Sequence, residues 1–456
     1  MLAREGGWGA LLYACCISPL FYLRLLSRRA TGREQYLTWS VRCGYPSLSR
    51  PSGPLLWFHA VSVGEGMAAI PVIRRCIQAR PIVNILMTTS TVTAHSLLEK
   101  CLPPGVLLQF APVDTPLAVE RFLSHWHPQA AIFMESELWP NLLLASALKG
   151  MPLALLNARM SAKSFERWSL PPARSLVAAM LLQFSLITPL STKEAVRFQI
   201  LGASPFVIHF AGNLKYACGA GDANKKFGLS LELKNALVGR QIWLAASTHV
   251  EEEEAIIRIH QNLSSWLPSL LTIIAPRHPA RGHSIRTQLQ QQGFDVAQRS
   301  QGDPVLTSTD VYIADTLGEL KEFYSLAPVA FVGGSLVEGL SGHNLAEAAA
   351  AGCVVLTGHY IGHFQEMLLE LQKIAPLSVQ QVDGEQELLH VLHNLLGKGA
   401  SLRPRRDAAQ FAFAAAADGV VLRVWNVLNS VILDQTFGRA ASDASQWLEE
   451  DKAFVG

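Results

Sequence analysis

From residue 55 onward, short runs of branched and aliphatic residues alternate with stretches whose apolar positions return every third or fourth residue. Leu55–Ser62, Ile82–Thr89, Val106–Val113, Ala130–Met134, Leu153–Asn157 and Ser185–Pro189 read as strands buried on both faces. Between them lie helical patterns such as Pro116–His127, with Ala118, Phe122 and Leu123 on one face. A polar, glycine-bearing stretch, Tyr216–Gly228, interrupts the rhythm. It restarts at Ile242–Ala246 and continues through Leu271–Ala275, Val311–Ala314, Val329–Val332 and Val354–Thr357. This order predicts an α/β protein of two doubly wound parallel sheets joined by a linker. The carboxyl ends of two such sheets, facing each other, would enclose a cleft.

The segment before this rhythm has a different pattern. Gly6–Leu23 is uncharged, carries Trp8, Tyr13, Phe21 and Tyr22, and is followed by Arg24, Arg28, Arg29 and Arg33. Ser18-Pro19 interrupts it, and its length is the lower limit for a spanning helix. It reads as an interfacial membrane anchor, a targeting presequence or a first core helix, and the basic cluster beside the apolar run favours the anchor. A second uncharged stretch, Ser175–Thr192, reads as a buried helix followed by a strand. No other candidate span is expected.

Composition narrows the class. The chain has 456 residues, enough for two or three cores, and only 16% are charged against about a quarter in an average soluble chain. Its 38 Lys+Arg balance 36 Asp+Glu, so there is no basic field of the kind a nucleic-acid binder uses. Seven scattered cysteines without a CxxC pair argue against a disulfide scaffold or structural zinc.

Four groups of polar residues fall at strand ends, where such sheets carry out chemistry. His59-Ala-Val-Ser-Val-Gly-Glu65-Gly-Met-Ala-Ala69 runs from strand to helix, and Gly64-x-Gly66-x-x-Ala69 formally fits a dinucleotide fingerprint. The ribose-binding acid expected about twenty residues on is missing, and Glu65 would sit where a diphosphate belongs. Glu65 reads equally as a general base or as a helix-capping carboxylate. Met134-Glu135-Ser-Glu137-Leu-Trp-Pro140 brings two acids to the next strand end, with Glu135 either a helper carboxylate or the partner of a base such as Arg159. Ala275-Pro276-Arg277-His278-Pro279 presents a guanidinium suited to phosphate or carboxylate. Gly333-Gly334-Ser335 and the helix start at Gly342-His343-Asn344-Leu345-Ala346-Glu347 read as an anion site built of backbone N–H groups, with Glu347 set to accept sugar hydroxyls. Asp315–Leu320 would wall off a base, and Glu251–Glu254 reads as an acidic helix start after a Ser247-Thr248 cap.

The ordered set HAVSVGE (59–65), MESELWPN (134–141), NARMSAKS (157–164), GNLK (212–215), ASTH (246–249), APRHP (275–279), DTLGEL (315–320), FVGGSLVEG (331–339) and GHNLAEA (342–348) resembles the Kdo transferases. The resemblance spans nearly the whole chain. It implies a GT-B glycosyltransferase that moves 3-deoxy-D-manno-octulosonate (Kdo) from CMP-Kdo, a co-substrate, onto a lipid A precursor with inversion and without a cofactor or metal. It implies a hydrophobic and basic segment over 1–34, an acceptor domain over 35–213, a linker over 214–239, a CMP-sugar domain over 240–435 and a polar tail over 436–456. Carried over residue by residue, the base falls on Glu65. Donor contacts fall on Pro276, Arg277, His278, Leu317, Gly318, Glu319, Ser335, Asn344, Leu345, Ala346 and Glu347. Glu135, Arg159 and Lys215 are auxiliary or acceptor candidates. The family's GHNPLEP reads GHNLAEA here, which alters loop rigidity and keeps Asn344 and Glu347.

The wording FHAVSVGEGMAA, FAPVDTPLA and HNLAEAAAAGC is most similar to plant members, which implies a mitochondrial address or a membrane surface. The cytoplasmic face of a bacterial inner membrane is the alternative. Two other readings stay open: an oxidoreductase using Gly64–Ala69, and a catalytically silent, membrane-associated sugar-nucleotide binder.

Overall fold

The structure, a computed structural model, describes residues 36–218, 236–397 and 402–438. The expected segment over 1–34 lies outside the described residues, as do most of the linker (219–235) and most of the tail (439–456). Among the described residues, 36–218 and 419–438 form one compact unit, and 236–397 with 402–418 form the other.

The first unit is built on β1 (Leu55–His59), β2 (Asn84–Thr89), β3 (Leu107–Phe110), β4 (Ala130–Met134), β5 (Leu153–Ala158) and β6 (Phe184–Pro189). They form one parallel sheet in the order β3-β2-β1-β4-β5-β6, so the winding reverses between β1 and β4. Each strand divides its side chains between two cores, as the two-residue period requires. Leu55 and Trp57 pack with Phe122, Trp126 and Phe133 on one face. Leu56 and Phe58 pack with Ile132, Met134, Val72 and Ile73 on the other. That second core includes residues of α1 (Val63–Ala79), the helix that follows β1.

The second unit holds β7 (Gln241–Thr248), β8 (Leu270–Pro276), β9 (Val296–Gln298), β10 (Val311–Ile313), β11 (Val329–Val332), β12 (Val354–Thr357) and β13 (Val379–Gln381). Its order is β13-β12-β11-β7-β8-β10-β9, again parallel, with the reversal between β11 and β7. The helices that matter below are α2 (Val250–Ser264) after β7 and α3 (Ala346–Ala350) after β11. The strand pattern read from the sequence appears throughout, except that β9 and β13 were not expected. Both are three-residue edge strands, too short to show a period.

The boundary expected at residue 435 is corrected. After Asp418 and Gly419 the chain returns to the first unit through α4 (Val420–Leu428). Val420, Val424, Trp425, Leu428, Ile432 and Leu433 are buried in the core beneath Leu56 and Phe58, which ties this segment to the first sheet. Arg80, itself buried, bonds Asn429, Asp434 and the Gly438 carbonyl. By length and composition, Leu402–Phe437 is apolar enough to cross a membrane, a stretch the sequence pattern did not suggest. Gly419, at φ 63°, breaks it, and its second half supplies core residues, so that half reads as a core element.

Candidate active site

In the first unit the polar cluster stands where the winding reverses. Ser62 caps α1, and Glu65 in its first turn is 6% exposed. Its carboxylate folds back over the cap: Oε2 accepts the Val61 N–H at 2.8 Å and Oε1 accepts the Ser62 hydroxyl at 2.8 Å. The helix-capping reading of Glu65 is thus realised in the structure. Burial, the neighbouring Glu135 charge and little compensation from Arg159 hold the Glu65 pKa above the ordinary carboxylate value. Gly64 has open space around it, whereas a Cβ on Gly66 would lie 2.7 Å from the Leu98 side chain. Gly66 thus serves helix packing, and open space for a ligand remains at Gly64.

Glu135 is 1% exposed and follows β4 with a left-handed φ of 55°. It lies between two cations, with Arg159 Nε 2.5 Å from Oε2 and Lys215 Nζ 2.6 Å from Oε1. Both cations are engaged by Glu135, and its pairing with Arg159 is one of the two readings the sequence offered. Asn157, also left-handed at φ 56°, joins the segments that carry them. Its side-chain Nδ2 donates to Asn213 Oδ1 at 3.1 Å, and its side-chain Oδ1 accepts Leu214 N–H at 2.8 Å. Backbone strain thus collects at the ends of β4 and β5, where a site is built. Glu137 completes the cluster, its carboxylate accepting the Trp139 indole N–H. Burial and the Glu65 charge push its pKa up to about 8. Three carboxylates thus gather beside two cations, both of which pair with Glu135. His59, buried beside the cluster with Nδ1 on Thr88 at 2.9 Å, is lowered to about 3 by burial and stays neutral.

In the second unit the largest correction concerns the β11 loop. The N–H groups expected to bind a ligand anion are already bound by Glu252, a residue assigned above only to complement the helix dipole. Glu252 is 0% exposed. Its Oε2 accepts Gly334 N–H at 2.7 Å and His249 N–H at 3.1 Å. Its Oε1 accepts Ser335 N–H at 2.8 Å and Leu336 N–H at 3.0 Å. Ser335 is likewise consumed by the fold: it is fully buried, and its hydroxyl donates to Val332 O and accepts Gly358 N–H. The helix cap is His249, not Ser247-Thr248, and Glu253 pairs with Arg281 at 2.5 Å.

Beside this loop His249 and His343 stack, ring centroids 5.2 Å apart and nearly parallel, with Nε2 to Nε2 2.9 Å. One imidazole therefore donates to the other. Burial first, then the charges of Arg277, His249 and His278, lower His343 to about 3. Arg277 and His278 are exposed at the end of β8, and Pro276 is buried in the strand. Leu317 and Gly318 form an exposed turn, Gly318 at φ 89°. The Glu319 carboxylate is taken by a two-pronged bond from Arg299, at 3.0 and 2.7 Å, and by the Thr316 hydroxyl. Asn344 donates to Glu347 at 3.1 Å and accepts Ala346 N–H at 3.1 Å. Leu345 and Ala346 are buried, and α3 is five residues long, which makes its dipole a weak anion holder. Sequence reasoning missed Glu252, His249 and His343 as site-building residues. The available signal was a cap followed three residues later by Glu, a pattern that does not say which N–H groups the acid reaches.

Two parallel sheets in nucleotide-binding order, each with polar groups gathered where its winding reverses, define a GT-B-like α/β fold. Solved structures bear out this fold. A putative UDP-N-acetylglucosamine 2-epimerase from Listeria monocytogenes matches with a TM-score of 0.59 at 12% identity, over 86% of this chain and 100% of that one. Anabaena HepE in complex with UDP matches with a TM-score of 0.52 at 14% identity, over 83% and 100%. Sequence relatives are more specific. Residues 37–218 match the family described as 3-Deoxy-D-manno-octulosonic-acid transferase (kdotransferase). The chain is 48% identical to the probable mitochondrial 3-deoxy-D-manno-octulosonic acid transferase of Arabidopsis thaliana, over 91% of this chain and 93% of the relative. It is 34% identical to the Haemophilus influenzae 3-deoxy-D-manno-octulosonic acid transferase, over 80% and 85%. The chain belongs to the Kdo transferase family and is a glycosyltransferase. With that membership the oxidoreductase reading falls.

Proposed function

We propose that the protein transfers Kdo from CMP-Kdo to a primary hydroxyl of a phosphorylated lipid A precursor, with inversion and without a metal ion. The first unit takes the acceptor and the second takes the donor. Glu65 removes the acceptor hydroxyl proton as the oxygen bonds to the anomeric carbon of Kdo. The bond from that carbon to the phosphate breaks, and CMP leaves with the electron pair. Arg277 offsets the charge growing on the leaving phosphate, with His278, the Leu317–Glu319 turn and Asn344 with Glu347 holding the nucleotide. A base of raised pKa is well matched to this step near neutral pH. One observation carries the reading: a nearly buried carboxylate, raised by burial and Glu135, stands where the first sheet reverses its winding. Residues 1–34 would hold the enzyme to a membrane surface, mitochondrial as the Arabidopsis relative's description suggests.

The test is Glu65→Gln in the full chain, assayed by mass spectrometry with CMP-Kdo and a tetraacylated disaccharide acceptor. Donor binding is expected to persist while transfer falls by about two to four powers of ten, the usual range for a lost general base. Wild-type-like turnover by the variant would remove Glu65 from the mechanism. A wild type that binds the donor without transfer would instead support the silent-binder reading.

A further inference from the structure

A carboxylate with four backbone N–H partners and no exposure is an unusual way to use a helix-start acid. Glu252 reaches from α2 to the loop after β11, so it spans the point where the second sheet reverses its winding. The loop it holds is the support of the imidazole pair. Gly334 O accepts Gly342 N–H at 2.7 Å, next to His343, and a Cβ at Gly334 would lie 2.9 Å from the His343 ring. On the other side Glu252 holds the backbone of His249 itself. One carboxylate therefore sets both imidazoles, and their neighbours are Arg277 and His278.

We propose that Glu252 is a positioning residue for donor binding: held as an internal anion under the β11 loop, it fixes the His249–His343 pair beside Arg277, where a doubly anionic sugar nucleotide binds. This rests on the assignment of the donor to the second unit. Phosphate and carboxylate of such a donor need hydrogen-bond donors aimed outward, and with the loop N–H groups occupied by Glu252 it is the exposed Arg277, beside the imidazole pair, that supplies them. A glutamine at this place keeps the size and loses the match, because its NH₂ faces two N–H donors.

The experiment compares Glu252→Gln with wild type in the full chain, reading CMP affinity by calorimetry, KM for CMP-Kdo, KM for the acceptor and kcat. The expected result is a donor KM and a CMP Kd raised about tenfold or more, with kcat and acceptor KM within about threefold. A folded Glu252→Gln with unchanged donor KM overturns the proposal, and so does a parallel fall in every parameter. If Glu252→Gln does not fold, His343→Gln removes one imidazole of the pair without altering the loop backbone that Glu252 holds. It should raise donor KM with little change in acceptor KM, and an unchanged donor KM there also overturns the proposal. Wild type that fails to bind CMP would refute the donor assignment itself, and the inference with it.

Discussion

Glu137 carries the sharpest consequence at the scale of a single residue. Its folded pKa of about 8 stands above the ordinary 4.5, so between those values the folded chain keeps a proton that the unfolded chain releases. Stability contributed by this group therefore falls as pH rises through that window. Glu137→Gln is neutral at every pH and keeps an oxygen for the Trp139 indole. Its melting temperature relative to wild type is expected to climb steadily from pH 5 to pH 8. Thermal scans across that range check it, and a difference that stays flat or shrinks would refute the assigned protonation. His59 works in the opposite direction: lowered to about 3, it stays neutral in the fold while the unfolded chain takes up a proton below 6.5, so its contribution is lost as pH falls through that interval.

At the scale of elements, the loops after strands do the positioning, and they support each other by backbone contact. The loop after β12 lies on the loop after β11: Gly358 N–H donates to Ser335 Oγ, and a Cβ on Gly358 would fall 2.0 Å from the Ser335 carbonyl oxygen. Neither backbone can yield without moving the Glu252 network. Gly358→Ala is expected to lower unfolding free energy by about 1–3 kcal/mol or more, the range for overpacking. Denaturant titration measures it, and an unchanged midpoint would show that the loops have slack. The same scale explains what the sequence made legible. β4, β11 and β12 match their expected bounds because a strand buried on both faces writes an unbroken apolar run. β9 and β13 left no such run, since a strand of three residues is too short to show one.

For the whole molecule, the return of the chain to the first unit is the decisive feature. Leu428 is fully buried there, against the far face of the first sheet. Leu428→Ala is expected to cost about 2–5 kcal/mol, the range for such a truncation, confined to the first unit. Hydrogen exchange would show protection lost around β1 and α1 while CMP binding by the second unit is retained. Equal loss in both units would mean that they unfold as one. The polar patterns followed the same division between local and distant. The motifs HAVSVGE, MESELWPN, NAR and GNLK could be read one by one, because each is a strand end and each chemistry belongs to its own residues. The pairing of Glu135 with Arg159 was among those readings, but that Lys215 of GNLK meets the same carboxylate was not.

The sequence alone determined the alternation of strands and helices, the family and the acid and base types at each strand end, since these depend on short periods and local order. Tertiary structure alone decided which partners those groups keep. Ser62 with Glu65 and His249 with Glu252 are the same cap-and-acid spacing, yet Glu65 folds onto its own loop and Glu252 reaches across to Gly334, Ser335 and Leu336. A carboxylate goes to whichever N–H groups are desolvated beside it, and which ones those are depends on strands brought together from distant parts of the chain.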